Sequence, residues 1–217
     1  MPNLYPALER QEVVVHSPRH VRSFAELAEA EVVQVAIAWQ ERARAAADAE
    51  FPYLHAMINE GQLAGASLAH SHSQLTWLRE PPPAVRRERR EGCAVCELVA
   101  QSEPLVLKES GNVLSFVHPA GRAPYELLIT LKSGHDSAPF VGNGVIVLLQ
   151  FLRDAIQRLR AVEGPISWNA WFHLGEHPHI EVVPRLTAFA GLELGAEIYV
   201  NVVSPEHAAE TMRSGGE

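Results

Sequence analysis

Cysteine is scarce, positive charge is in deficit and long apolar runs are missing, and each shortage narrows the reading. Two cysteines among 217 residues are too few for the disulfide scaffold of a small secreted domain. Their C-x-x-C spacing, Cys93 and Cys96, fits a reduced compartment and a metal site. Lys and Arg total 18 against 26 Asp and Glu, a formal net charge of −8. That balance argues against a broad nucleic-acid surface, although a local neutral or positive site can still take a nucleotide. No stretch approaches the ~20 apolar residues that cross a bilayer. The N-terminus lacks a basic region followed by an apolar core. No membrane association and a cytoplasmic location are therefore expected. With 47% hydrophobic and 20% charged residues, the chain is an ordinary globular one, long enough for one large or two small domains.

The chain does have histidine, and it is patterned. His70-Ser71-His72-Ser73-Gln74 follows Asn59-Glu60-Gly61 and Gly65-Ala66-Ser67. In an extended strand, alternate side chains share a face, so H-x-H-x-Q sets two imidazoles and an amide side by side. A neutral imidazole is a nucleophile near pH 7, and an amide can donate to a phosphoryl oxygen as charge builds there. The set suits attack on phosphorus. The pattern then recurs as His177-Pro178-His179-Ile180-Glu181. Each copy has an upstream histidine after a strand-like run, His20 and His135, and then a long helical segment. Strand, histidine, helix, strand, H-x-H occurs twice, which is an internal repeat.

Local signals support an α+β chain with antiparallel sheets and a long helix in each repeat. Strands are expected at 12–17, 53–59, 71–78, 113–117, 125–132, 170–174 and 179–184. A helix is expected over 23–47, with Ser23 as N-cap and Glu26 three residues on. A second is expected over 143–162, from the spacing of Val145, Val147, Leu148, Leu152, Ile156 and Leu159. Residues 1–80 then form a partial first repeat, 81–92 a solvated proline- and arginine-rich linker, and 93–213 a second repeat. His118, His173 and His207 fall outside the repeat pattern and read as surface or core residues, as do the strand histidines His16 and His55.

These motifs, with Pro2-Asn3-Leu4-Tyr5-Pro6, Ser17-Pro18-Arg19-His20 and the tail from Gly191-Leu192-Glu193 to His207-Ala208-Ala209, resemble the galactose-1-phosphate uridylyltransferases, a branch of the histidine-triad superfamily. The resemblance runs in order through nearly the whole chain. It implies two histidine-triad-like repeats, the first incomplete, because the family's early C-x-x-C and nucleotide-holding arginines have no counterpart. His20 and His70 are then half of a remnant metal site.

The resemblance also implies a zinc site of Cys93, Cys96, His135 and His177. Four protein ligands leave no open position, so such a zinc is structural. Some relatives carry a metal at this place through a carboxylate, a part Glu88 could fill, though the cysteines make it unnecessary. The implied reaction is uridylyl transfer between a nucleoside diphosphate sugar and a sugar 1-phosphate. His72 is the nucleophile, Gln74 steadies the phosphoryl oxygens, Asn59 and Ser67 hold phosphate or sugar, and Gly65 admits the diphosphate. Glu193 contacts the hexose. In the second copy Glu181 would repel a phosphate, so His179 reads as structural or a metal neighbour. A homodimer is expected, its sheet edge at the first repeat left unpaired. The alternatives are an ADP-sugar or dinucleoside polyphosphate phosphorylase or adenylyltransferase, and an inactive zinc-stabilised remnant.

Overall fold

The computed structural model describes residues 1–88, 93–133, 140–175 and 177–215. The first repeat contributes β1 (Gln11–Val15), α1 (Glu29–Asp48), β2 (Tyr53–Glu60) and β3 (His72–Leu78), followed by the short α2 (Pro83–Glu88). The second contributes α3 (Ala94–Ala100), β4 (Val106–Ser110), β5 (Val113–Val117), β6 (Leu127–Leu131), α4 (Gly144–Glu163), β7 (Trp168–His173) and β8 (His179–Pro184). Two short helices close the chain, α5 (Gly191–Ala196) and α6 (Pro205–Ser214). The α+β architecture expected from the sequence is borne out. The two repeats share one sheet, however: all eight strands pair antiparallel in the order β1-β3-β2-β7-β8-β6-β5-β4. Their seam is β2 against β7, with Ala56 opposite Phe172 and Glu60 opposite Trp168.

Side-chain alternation gives the sheet two characters. Leu75 and Trp77 of β3, Ala56 and Ile58 of β2, Ala170 and Phe172 of β7, and Ile180 and Val182 of β8 are buried in the main core. Val32, Val35, Ala36 and Trp39 of α1 are buried with them. So are Val145, Leu148, Leu152, Ile156 and Leu159 of α4, close to the predicted stripe, with Val147 only partly covered. Each such leucine or isoleucine contributes roughly 1.5–3 kcal/mol on burial. Trp39 Nε1 donates to Ser73 Oγ at 2.9 Å, pinning α1 to β3. The register puts the remaining residues on the opposite face, where His55, Asn59, His72, Gln74, Trp171, His173, His179 and Glu181 lie in adjacent rows.

Four local expectations are corrected. Ser23 caps a 3₁₀ turn over Phe24–Glu26, not the long helix. That helix starts at Glu29, where Glu31 reaches back to accept from the Ala28 N–H at 2.7 Å, a role a carboxylate fills well at a helix N-terminus. Residues read as solvated linker include α2, whose Val85 is fully buried. β4, not expected from the sequence, pairs with β5. The outer edge of β1 is not bare: Asn3 N–H donates to the Gln11 carbonyl and Val13 N–H to that of Met1.

Candidate active site and metal centre

Three segments wall a cavity of about 570 Å³: the turn after β1, the β2–β3 loop, and the α4–β7 connection. His72, at the start of β3, lies on its wall with His70, Asn59 and Ser67. The loop is shaped by Gly61, at φ +84°, a region open to glycine at little cost. A Cβ there would also sit 2.2 Å from Ser167 Oγ. The second repeat therefore presses directly on the loop of the first. Gly65, at φ +80°, ends the short 3₁₀ turn Gln62–Ala64 and hands the chain on to Ala66 and Ser67, which line the cavity.

His72 is buried, and its Nδ1 lies 2.8 Å from the carbonyl oxygen of His70. A carbonyl can only accept, so Nδ1 carries the proton and Nε2 keeps its lone pair. His70 Nε2 in turn donates to the Ser17 carbonyl at 3.0 Å. Asn169 Nδ2 donates to Asn59 Oδ1 at 2.7 Å, which leaves the Asn59 amide hydrogens for the cavity. Beside the site, His16 Nδ1 lies 2.8 Å from Ser71 Oγ. Burial, with His72 and His70 nearby, pushes His16 down to about 3, so it is neutral. Gln74 lies one pleat further, outside the cavity wall, with Oε1 accepting from Gln11 Nε2 at 2.8 Å. Its own amide hydrogens stay available. Glu193 is not part of this cavity. It caps α5, accepting from the Ala190 N–H at 2.9 Å.

The second copy repeats the backbone device. His179 Nδ1 lies 2.9 Å from the His177 carbonyl, again leaving Nε2 for its own surroundings. Those surroundings differ. His179 Nε2 is 3.7 Å from Glu181 and 4.0 Å from Glu88. His173 Nδ1 is 2.6 Å from Glu88. Burial opposes the imidazolium of His179, but Glu181 and Glu88 outweigh it and raise its pKa. Burial likewise opposes the Glu181 carboxylate, yet His179, Arg122 and His173 hold its pKa at about 2. Arg122 joins Glu126 at 2.6 Å and Glu181 at 2.5 Å. Glu88, His173, His179 and Glu181 form one donor set that could hold a cation. The sequence missed His173 because only the β7–β8 register, His173 opposite His179, brings it in.

Cys93, Cys96 and His177 gather as a second donor set. His177 Nδ1 lies 3.5 Å from Cys93 Sγ and 3.4 Å from Cys96 Sγ. Its Nε2 donates to the Leu131 carbonyl at 2.6 Å, the outward hydrogen bond that fixes a ligating imidazole. Tetrahedral zinc with Zn–S ~2.3 Å and Zn–N ~2.05 Å spaces S and N about 3.5 Å apart, so the three groups fit the ion. His135 lies outside the described residues. His20 and His70 meet edge to face, with ring centroids 5.5 Å apart. Among the described residues they belong to no group of three or more metal donors.

Comparison with known proteins finds relatives in sequence and in fold. The family model for the N-terminal domain of galactose-1-phosphate uridyl transferase matches residues 7–80. An ADP-glucose phosphorylase of Arabidopsis thaliana is 28% identical over 97% of this chain and 72% of its own. A galactose-1-phosphate uridylyltransferase of Thermotoga maritima is 25% identical over 93% of this chain and 73% of its own. A solved uridylyltransferase structure superposes with a TM-score of 0.87 at 26% identity, covering 100% of this chain and 78% of that one.

Proposed function

We propose that this chain, similar in sequence and fold to galactose-1-phosphate uridylyltransferases and to an ADP-glucose phosphorylase, shares their nucleotidyl-transfer chemistry and moves a nucleotidyl group from a nucleoside diphosphate sugar through a covalent His72 intermediate. The observation that carries the reading is the His72–His70 carbonyl contact of 2.8 Å beside the cavity. Nε2 attacks the α-phosphorus. A phosphorus–nitrogen bond forms, the phosphorus–oxygen bond to the sugar phosphate breaks, and sugar 1-phosphate leaves with the electron pair. A second phosphate oxygen then attacks the intermediate and returns the imidazole to its neutral form. Splitting one displacement into two is the gain of covalent catalysis. Asn59 and Ser67 donate to the bound phosphates, and Gln74 donates to the phosphoryl oxygens once the substrate draws its amide in. Gly65 lets the backbone approach the diphosphate. Glu193, half-buried on α5 and outside the cavity, meets a hexose only if its segment moves or a neighbouring subunit presents it.

Two acceptors fit this chemistry. A hexose 1-phosphate acceptor with UDP-glucose gives uridylyl transfer. Inorganic phosphate with ADP-glucose gives a phosphorylase, a reading favoured by the 28% identity to the Arabidopsis enzyme. The test is incubation with UDP-glucose and ADP-glucose, each labelled at the α-phosphorus. Acid-labile label should stay on the wild-type protein from one donor and be lost in His72→Ala. Full labelling of that variant would refute the assignment. Product analysis with galactose 1-phosphate or inorganic phosphate then separates the two acceptors.

We further propose that Cys93, Cys96 and His177 hold zinc, with His135 as fourth ligand. Zinc there would tie the start of α3 to the segment just before β8 and supply folding energy, with no open position for substrate.

A further inference from the structure

We infer that Arg160, on the second repeat, ligates the diphosphate of the nucleotide in the cavity beside His72, with Arg22 as its companion. The inference rests on reading that cavity as a nucleoside diphosphate site. The wall groups assigned to phosphate, Asn59 and Ser67, are neutral, and so is Gln74 beyond the wall. A diphosphate carries at least two negative charges, and enclosing it among neutral groups is costly. The chain as a whole offers no help, at a net charge of −8. Two cations, Arg22 and Arg160, stand on the described wall of the cavity.

Arg160 is well placed for this. It belongs to the last turn of α4, which Ile156 and Leu159 anchor in the core. The C-terminal end of a helix carries partial negative charge, so without a cation this end would repel a phosphate. The partner of Arg160 in this structure is Glu26, at 3.3 Å, with the side chains 28% and 42% exposed. That is longer than the ~2.7–2.9 Å of a firm charge-assisted bond, and a pair so exposed is weak. Arg22 makes no ion pair among the described residues; its backbone N–H donates to Glu26 Oε2 at 3.2 Å. The other wall carboxylate, Glu60, is tied to the Phe24 N–H at 2.8 Å. A diphosphate entering the cavity would therefore draw Arg160 from Glu26 onto its oxygens, while Glu26 keeps its bond to the Arg22 backbone. The carboxylate acts as a placeholder for the phosphate.

This exchange predicts effects of opposite sign. Titration of the purified protein with inorganic pyrophosphate, followed by calorimetry, measures it. Arg160→Gln should weaken pyrophosphate binding by at least ~10-fold, the loss of a hydrogen bond between charged groups. Glu26→Gln should tighten it, because the competitor is gone. Arg160→Lys, which keeps the charge and loses the fork, should fall between wild type and Arg160→Gln. Wild-type affinity in Arg160→Gln, or weaker binding in Glu26→Gln, would overturn the inference. Failure of the covalent reading looks different: no label on wild type, with the pyrophosphate pattern unchanged. Absence of any pyrophosphate binding by wild type at millimolar concentration would overturn the inference and the diphosphate reading together.

Discussion

Replacing Arg122 by methionine should show how much of the second repeat rests on one guanidinium. Arg122 bonds Glu126 through Nε at 2.9 Å and Nη2 at 2.6 Å, and Glu181 through Nη2 at 2.5 Å. Glu126 is 2% exposed. Methionine keeps much of the volume and removes the charge, leaving two enclosed carboxylates facing each other. Breaking a buried pair in this way costs about 3–5 kcal/mol. Two features reduce that figure. The Arg122 side chain is one-third exposed, and Glu126 retains the N–H groups of residues 122 and 123 at 2.6 and 3.2 Å. A loss of ~2–4 kcal/mol remains, which for a chain of this size lowers the melting temperature by roughly 4–16 °C. The loss should also depend on pH. In wild type the Glu181 pKa is held at about 2, below its ordinary 4.5. That stabilisation is complete above pH ~4.5 and is lost as pH falls towards 2. In the variant Glu181 should protonate more readily, so the gap between the two proteins should be widest at pH 7 and narrower at pH 4. Thermal melts at the two pH values test this. A gap under 1 kcal/mol at pH 7, or one that widens on acidification, would refute the reasoning.

Three further outcomes are expected. Gly61→Ala should lower both stability and activity, by ~2 kcal/mol or more in stability, because it meets a positive φ and the Ser167 hydroxyl together; partial recovery in Gly61→Ala/Ser167→Gly, measured by urea unfolding, would confirm the steric share. His16 is depressed to about 3 in the folded chain against 6.5 when unfolded, so only the unfolded state takes up its proton between those values. Its contribution to stability therefore falls as pH drops from 6.5 towards 3, and His16→Phe should flatten that slope in urea titrations at pH 7, 5.5 and 4.5. Removal of metal by a chelator, or Cys93→Ser, should lower the melting temperature and release about one zinc per chain by elemental analysis, and an unchanged melt with no zinc found would dismiss the metal centre.

The features legible in the sequence share a cause: they depend on local periodicity. Of each H-x-H only the second histidine opens its strand, His72 in β3 and His179 in β8, where the carbonyl two residues back orients the ring; His70 and His177 precede the strands, so alternation does not put the pair on one strand face. C-x-x-C is read correctly because the turn into α3 brings both sulfurs together. The 143–162 helix is read from its stripe. What escaped depends on distant pairing. His173 joins Glu88 through strand register and the docking of α2, and no local pattern announces either. Ser23 carries a true capping signal but spends it on a 3₁₀ turn, because the chain bends at Leu27 and Ala28 before α1 begins. β4 is short and carries Lys108, Glu109 and Ser110, so it lacks an apolar alternation. Arg160 looks in sequence like any helix-terminal cation. Its place on the wall of the cavity follows from how the two repeats meet.

The seam between β2 and β7 has a kinetic consequence. Its partners, Ala56 with Phe172 through Glu60 with Trp168, lie more than a hundred residues apart in the chain. Contacts at such separation are entropically expensive and tend to slow folding. Each repeat can gather its own hairpins early, but the cavity exists only after the seam zips, because Asn59 takes its partner Asn169 from across it and the Gly61 loop rests on Ser167. Regain of diphosphate binding after refolding should therefore lag behind regain of strand signal, and the lag measures how long two nearly finished halves take to find each other.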